Sequence, residues 1–175
     1  MVKIMKKILL IALLAGFAWT ASAQQLDCSF TQARTIQASG KTIRSEGVIS
    51  FIKPDQLTMT YTNPQGEYLV ISGSMLRSNV QGQQLSVDTE KNARFRNMRN
   101  TLLNCITGQY EQAAKDNDAE LEVSEKGGVK TVSMKARKAA PRGYSKIVME
   151  YIKDLPVRMV LEEFGGISTE YHFKY

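Results

Sequence analysis

Residues 56–66 read QLTMTYTNPQG, and this stretch decides the class of fold. Leu57, Met59 and Tyr61 alternate with threonines, and a period of two is typical of a strand with one apolar and one polar face. The Asn-Pro-Gln-Gly run that follows is a turn signal. The stretch therefore predicts a half-buried strand that reverses direction within a few residues, as strands of an antiparallel sheet do.

The same alternation continues on both sides of this stretch, with turn residues at short intervals. Strand-like segments occur at residues 28–37, 43–53, 67–72, 119–124, 129–136, 145–152, 157–163 and 168–174, with further breaks at Gly73 and Gly82. In the segment 157–163 the alternation places Val157, Met159 and Leu161 on the apolar face and Arg158 and Val160 on the polar face. Short connections favour antiparallel neighbours, so we predict a large, curved antiparallel sheet.

One segment, residues 92–116, has the spacing of a helix. Its apolar residues recur three or four positions apart, which predicts one apolar stripe on an amphipathic helix: Phe95, Met98, Leu102 and Ile106. Gly108 predicts a break, and residues 110–115 predict a second, shorter helix. The open face of the sheet is the surface on which the stripe would be buried.

The first 23 residues have the three regions of a secretory signal peptide. Lysines at the start precede an apolar run over residues 8–19, and Ala21-Ser22-Ala23 is a small-residue cleavage site. The apolar run is much shorter than the roughly 20 residues that span a bilayer. We therefore predict cleavage after Ala23, a periplasmic location, and a single soluble domain over residues 24–175.

Composition and motifs argue against several classes of function. The formal net charge of +6 includes three lysines of the signal peptide, and no lysine or arginine run of the kind that binds nucleic acid is present. The lone histidine, His172, and two distant cysteines make no metal-ligand cluster. Neither a nucleophile elbow nor a phosphate-binding loop occurs. We predict a binding protein that is not an enzyme and uses no cofactor or metal.

Two cysteines remain after cleavage, Cys28 and Cys105. The periplasm permits disulfides, and only one intramolecular pairing is available. A Cys28–Cys105 bridge is the favoured expectation, with two buried free thiols as the alternative.

Methionine is concentrated on the predicted apolar strand faces, which carry four of the six methionines that follow residue 23. Its flexible, polarizable side chain suits a surface that repacks around variable apolar guests. An ordinary methionine-rich core is the alternative reading of the same pattern.

Several short motifs, taken in order, resemble the LolA-like outer-membrane lipoprotein carrier family. They are residues 28–32 (CSFTQ), 47–57 (GVISFIKPDQL), 61–64 (YTNP), 70–73 (VISG), 155–157 (LPV), 165–166 (GG) and 171–173 (YHF). The likeness covers nearly all of residues 24–175. Lys53 stands where the family pattern has an arginine before proline, and little chain precedes the first strand, so the resemblance is to a short variant.

The resemblance implies a mainly β fold with some helix (α+β): a curved, unclosed antiparallel β-barrel of about 11 strands with a helical lid near residues 92–116. It implies a periplasmic carrier or chaperone that binds lipoprotein acyl chains in an apolar cavity and moves them from the inner toward the outer membrane. The implied partners are an inner-membrane lipoprotein-releasing transporter and an outer-membrane receptor, and we expect a monomer. A binding protein for another lipid, of glycolipid or polyketide type, or a sensor of envelope lipoproteins is the alternative.

The apolar faces and the resemblance together predict the ligand site. Its expected cavity lining is Phe51, Leu57, Met59, Tyr61, Met98, Leu102, Ile106, Met134, Met149 and Met159. Lys53 and Pro54 are expected at its rim, where the family arginine would gate the lid.

Overall fold

The computed structural model describes residues 25–175, which form one antiparallel sheet of 11 strands and two helices. The strands are β1 (Gln25–Ile36), β2 (Lys41–Ile52), β3 (Gln56–Asn63), β4 (Tyr68–Ser72), β5 (Met75–Val80), β6 (Gln83–Asp88), β7 (Ala119–Lys126), β8 (Val129–Ala136), β9 (Tyr144–Ile152), β10 (Leu155–Glu163) and β11 (Ile167–Lys174). A short 3-10 turn (Thr89–Lys91) leads into helix α1 (Ala93–Ile106), and helix α2 (Tyr110–Asp116) follows. The predicted signal peptide lies outside the described residues.

The strand order is β6-β5-β4-β3-β2-β1-β11-β10-β9-β8-β7, with every neighbouring pair antiparallel. The sheet is unclosed, with β6 and β7 as its two edges. β1 and β11 pair at the centre, so the two ends of the described chain meet there. The predicted fold class, the strand number and the single helical insertion are confirmed.

Alternate residues of each strand point to one concave face, where they form the core with α1. Phe30, Ile49, Leu57, Ile71 and Met149 on this face are all nearly inaccessible to solvent. The corresponding residues on the outer face are threonines, serines and charged residues at many positions. Apolar burial on one face only is the reason that these strands alternate in polarity.

The predicted phase of β10 is wrong at Val157. The pairing of β10 with β9 shifts register between Pro156 and Arg158, as at a β-bulge. Pro156 is therefore buried on the concave face and Val157 is only half-buried. Met159 and Leu161 point inward as predicted, because the bulge lies before them.

Gly47 of β2 lies between Phe30 of β1 and Tyr61 of β3 and allows these two side chains to meet on the concave face. A Cβ atom at this position would collide with the carbonyl oxygen of Thr60 and lie 3.0 Å from the ring of Phe30. Phe30 in turn packs edge-on against Tyr61, with ring centroids 5.2 Å apart. The absence of a side chain at Gly47 therefore makes room for an aromatic pair.

Helix α1 begins at a side-chain cap and ends at a glycine. The Asn92 side chain accepts hydrogen bonds from the backbone N–H groups of Arg94 and Phe95. Gly108 adopts a positive φ of 73° after the last turn, a conformation that favours glycine and ends a helix. The predicted break at Gly108 and the second helix are confirmed. No helix in residues 25–175 is long and apolar enough to cross a membrane.

Candidate functional site

Helix α1 covers one end of the concave face and leaves the other end less covered. Along β1, the inward-facing residues change from buried Phe30 to half-buried Gln32, Arg34 and Ile36. We call the buried region, which includes Phe51, Leu57, Met149, Tyr151 and Met159, the closed end. We call the half-buried region, which comprises Gln32, Arg34, Ser45 and Tyr171 with buried Tyr61 beside them, the open end.

Nine of the ten predicted lining residues are buried, and the structure brings most of them together at the closed end. They are Phe51, Leu57, Met59, Tyr61, Leu102, Ile106, Met134, Met149 and Met159. Met98 is only partly buried, although it packs against the same core. The side chains of α1 and the sheet fill the space between them, so most of the predicted lining is packed core in this structure.

A pocket of about 250 Å³ opens where α1 ends. Its wall contains two of the predicted lining residues, Phe51 and Ile106, and the predicted rim residue Lys53. The other residues of the wall are Gln25, Leu26, Asp27, Thr107, Asp154, Leu155 and Tyr175. Pro54, the second predicted rim residue, is exposed in the turn beside Lys53. The mouth of the pocket therefore combines apolar groups of the closed end with one lysine and two aspartates.

The end of α1 is attached to the sheet by a buried hydrogen bond. The Tyr151 hydroxyl donates to the backbone carbonyl of Cys105 over 2.7 Å. Burial raises the pKa of Tyr151 well above its ordinary value, so this hydroxyl keeps its proton and remains a donor. The bond gives a second donor to a carbonyl in the last turn of the helix, which also accepts from the backbone N–H of Gly108 over 3.4 Å.

Polar contacts also hold the middle of α1. Asn117, which follows α2, donates to the hydroxyl of buried Thr101 over 2.9 Å and so connects the two helices. Arg99 lies 4.0 Å from Asp55 and 3.7 Å from Glu90, and its side chain is only 15% exposed. The Nε atom of Arg99 is buried without a hydrogen-bond partner among the described residues. These ion pairs are therefore imperfect, which leaves α1 less firmly held here than by a fully paired arginine.

The expected Cys28–Cys105 disulfide is wrong for this structure, in which both residues are buried free thiols. Cys28 lies on β1 beside Tyr175, whereas Cys105 lies in the last turn of α1 beside Tyr151. Burial raises the pKa of both thiols, that of Cys105 to about 12. Neither has the low pKa typical of a reactive cysteine, because the thiolate is poorly solvated in these surroundings.

The open end differs from the closed end in polarity. The Tyr61 hydroxyl donates to Gln32 Oε1 over 2.8 Å, and burial raises the pKa of Tyr61 to about 12. Burial also holds the pKa of Tyr171 well above its usual range, and the positive charge of nearby Arg34 partly offsets the rise at both tyrosines. Arg34, Gln32 and Tyr61 share the wall of a pocket of about 110 Å³.

Comparison with known proteins decides the family. Residues 21–175 match the family described as outer membrane lipoprotein carrier protein LolA. The chain belongs to the LolA family. No curated protein matches the chain. The family's description points to a lipoprotein-binding or lipid-binding carrier, which is a binding role.

Solved structures similar to this LolA-family chain are distant in sequence. A DUF1329 family protein from Desulfovibrio piger is 12% identical, covers 88% of this chain and 85% of its own, and gives a TM-score of 0.43. A LolA superfamily protein from Nitrosomonas europaea is 7% identical, with coverages of 88% and 86% and a TM-score of 0.41. The Mycobacterium tuberculosis lipoprotein LppX is 11% identical, with coverages of 96% and 94% and a TM-score of 0.35.

The outer face of this LolA-family sheet carries a cluster of charged side chains. Arg158 lies 2.6 Å from Glu170 and 2.8 Å from Glu150, and His172 lies 3.0 Å from Glu170. These residues are solvent-accessible cross-strand neighbours, as the alternation predicts. Among residues 25–175, no group of three or more histidine, cysteine and acidic side chains is arranged to hold a metal ion.

Sequence reasoning missed several residues that shape the site. It gave no role to Tyr151 or Tyr171, and it did not consider Arg34. For Arg34 the signal was present in the alternation, since Arg34 has the same phase on β1 as Phe30. An arginine in the phase of the apolar residues indicates a polar position on the concave face.

Proposed function

We propose that this protein is a periplasmic carrier that binds the acyl chains of lipoproteins, or of other acylated lipids, between α1 and the concave face of the sheet. Cleavage after Ala23 would release residues 24–175 as one monomeric carrier. It would receive cargo from an inner-membrane lipoprotein-releasing transporter and deliver it to an outer-membrane receptor. The protein would act by binding and not by catalysis.

The observation that carries this proposal is the apolar stripe of α1 on a methionine-rich sheet face, beside a pocket at the helix end. Leu102 and Ile106 of the helix are buried with Met149 and Met159 of the sheet. Methionine repacks readily, so this interface can admit an apolar guest more easily than one built from branched side chains. Membership of the LolA family supports the same kind of cargo.

The physical task of such a carrier is large. Exposure of an acyl chain of roughly 16 carbons to water costs on the order of 12 kcal/mol, at about 0.8 kcal/mol for each methylene. A protein that carries the chain through water must offset most of this cost. It must also release the chain, so the site has to open without unfolding of the sheet.

The pocket at the end of α1 is an entrance too small for a complete acyl chain. Its volume of about 250 Å³ lies below the roughly 300–1,000 Å³ of ordinary small-ligand sites. Loading therefore requires α1 to move away from the sheet. The helix is suited to this motion, since the Asn117–Thr101 hydrogen bond joins it to α2, whereas the hydrogen bond from Tyr151 and the 4.0 Å ion pair of Arg99 with Asp55 supplement its apolar contacts with the sheet.

Native mass spectrometry of the protein purified from its own periplasm tests the proposal. Recovery of a complex with triacylated protein supports the lipoprotein carrier. Recovery of small free lipids alone would indicate that the cargo is another lipid and not a lipoprotein. The apo protein should also take up a fluorescent fatty acid. Failure to bind this probe would rule out both kinds of cargo.

Lys53 tests the role of the rim. We expect Lys53→Leu to impair loading or release while the fold stays intact, because a cation at the pocket mouth can orient polar parts of the cargo. Lys135→Leu, on the exposed outer face of β8, is the matched control and should transfer cargo normally. Unchanged transfer by Lys53→Leu would remove Lys53 from the mechanism.

A further inference from the structure

The open end holds a cation in a position that apolar residues occupy elsewhere on the same strand. Arg34 pairs with Ile43 of β2 and Thr169 of β11, and it has the inward phase of Phe30 on β1. Its side chain lines the pocket of about 110 Å³ together with Gln32, Ser45 and Tyr61. Arg34 is half-buried there.

Within residues 25–175, the Arg34 side chain makes no hydrogen bond or ion pair. Glu67 is the acidic residue of the same pocket, and its carboxylate accepts a hydrogen bond from the backbone N–H of Gln81 over 2.7 Å. The neighbouring tyrosines are neutral, because burial raises the pKa of Tyr61 and of Tyr171. The guanidinium therefore presents unused donors to the concave space. Partial burial of a cation without a counterion is unfavourable, and an anionic ligand would relieve this cost.

We propose that the open end is a subsite for the anionic group, carboxylate or phosphate, of an amphiphile whose acyl chain extends under α1. This inference rests on the proposed carrier function and narrows its cargo to acidic amphiphiles. Arg34 would bind the anion through paired donors, as a guanidinium does with carboxylate and phosphate. The tyrosine hydroxyls beside it are neutral and add no negative charge, and the Glu67 carboxylate on the same pocket wall already accepts a hydrogen bond from the backbone of Gln81.

The spacing of the two ends fits such a ligand. Arg34 lies four positions from Phe30 on β1, where the closed end begins, and four residue steps of an extended strand span roughly 13 Å. The acyl region of one bilayer leaflet is roughly 15 Å thick. A chain anchored by its head at Arg34 would therefore reach past Phe30 into the space that α1 covers.

Paired probes that differ only in charge test the proposal. We would titrate the protein with a dansyl-labelled undecanoic acid and with its methyl ester, and then displace the bound acid with lysophosphatidic acid or the matching monoacylglycerol. We expect the wild type to prefer the acid over the ester by about tenfold to a hundredfold, the scale of a charge-assisted hydrogen bond. The unlabelled fatty acid with the same acyl chain is a third displacing lipid. Stronger displacement by lysophosphatidic acid than by this fatty acid would identify phosphate as the preferred anion, and the reverse order would identify carboxylate.

Arg34→Gln should abolish the preference for the acid and leave the affinity for the ester unchanged. Arg34→Lys, which keeps the charge without the planar fork, should retain part of the preference and serves if the glutamine variant folds poorly. Arg44→Gln, on the exposed outer face of the neighbouring strand, is the matched control and should behave as wild type. Equal wild-type affinities for acid and ester, or equal losses of both in Arg34→Gln, would overturn the inference while the carrier function stands. If the protein binds neither the acid nor the ester, both this inference and the proposed carrier function are overturned.

Discussion

The closed and open ends of the concave face share strands β2 and β3, yet they have different properties. At the closed end, Met149 and Leu57 are completely buried under α1. At the open end, Gln32 and Arg34 are half-buried on the continuation of strands whose other ends are sealed. An amphiphile has the same division, with an apolar chain and a polar head. One continuous face can therefore match both parts of such a molecule without a second domain.

The two ends differ because the type of inward-facing residue changes along each strand, while the alternation between inward and outward positions stays the same. On β1 the inward positions change from Cys28 and Phe30 to Gln32 and Arg34. Helix α1 then covers the apolar part, because its stripe needs an apolar surface and would leave a polar end unsatisfied. The position of the helix thus follows from the sequence of the strands beneath it.

The largest expected effect is on the free energy of unfolding, which should depend more on side-chain packing at the closed end than at the open end. Met149→Ala removes a side chain with 0% exposure from the centre of the closed end, and such truncations lower the free energy of unfolding by about 2–5 kcal/mol. Ile43→Ala at the open end removes a half-buried side chain and should cost less than half as much. Urea denaturation of both variants measures the difference.

Val123→Ala is the control for these two substitutions, because Val123 is 49% exposed and exposed truncations usually change stability by no more than about 0.5 kcal/mol. Equal losses in Met149→Ala and Ile43→Ala would contradict the distinction between a packed end and an open end.

Most of the fold could be predicted from the sequence, because alternation and turn residues act locally. The strands at 129–136 and 168–174 and the helical insertion follow directly from periodicity. The phase of Val157 could not be predicted, since a bulge depends on how β10 pairs with β9. The cysteines were misjudged for a similar reason: loop length permits a bridge, but the surroundings of each thiol are set by tertiary packing.

The candidate site was predicted less completely than the fold. Burial of Met149 and Met159 follows from the alternation, but the sequence does not tell a filled core from a cavity, because both need the same apolar residues. Tyr151 shows the limit most clearly. Its aromatic ring was predictable as core, whereas its hydrogen bond to the carbonyl of Cys105 requires the position of a helix 46 residues away in sequence.

The second expected effect concerns the attachment of α1. Tyr151→Phe removes the hydroxyl that donates to Cys105, and loss of one such bond typically lowers stability by about 0.5–1.5 kcal/mol. We expect hydrogen exchange in the last turns of α1 to accelerate more than exchange in the sheet, which would make the closed end resemble the open end. Hydrogen exchange with mass spectrometry measures this difference.

Tyr175→Phe is a matched control for Tyr151→Phe, because its hydroxyl also donates to a backbone carbonyl, that of Pro156, but does not contact α1 through this bond. It should leave exchange in α1 unchanged. If Tyr151→Phe also leaves it unchanged, the hydrogen bond does not hold the helix, and apolar contacts alone determine how the closed end opens.

The smallest expected effect concerns the outer face of the sheet. It tests whether the tight packing of the closed end is a property of the concave face alone or of its strands on both faces. Arg158 and Glu170 lie on the outer side of β10 and β11, and a hydrogen bond from Arg158 holds the pKa of Glu170 below its ordinary value of 4.5. Because the Glu170 side chain is 35% exposed, solvent screens the pair, and Glu170→Gln should cost no more than about 1 kcal/mol near neutral pH.

A carboxyl group with a lowered pKa stabilises the fold above its unfolded pKa, and this stability is lost as the pH falls through the folded value. The difference between wild type and Glu170→Gln should therefore shrink below pH 4.5, the ordinary value for this group, in urea denaturation at a series of pH values. Glu120→Gln, exposed on the edge strand β7, should show no such convergence. A loss in Glu170→Gln as large as that in Met149→Ala would mean that β9, β10 and β11 are rigid on both faces. The closed end would then owe its stability to its strands and not to the helix that covers it.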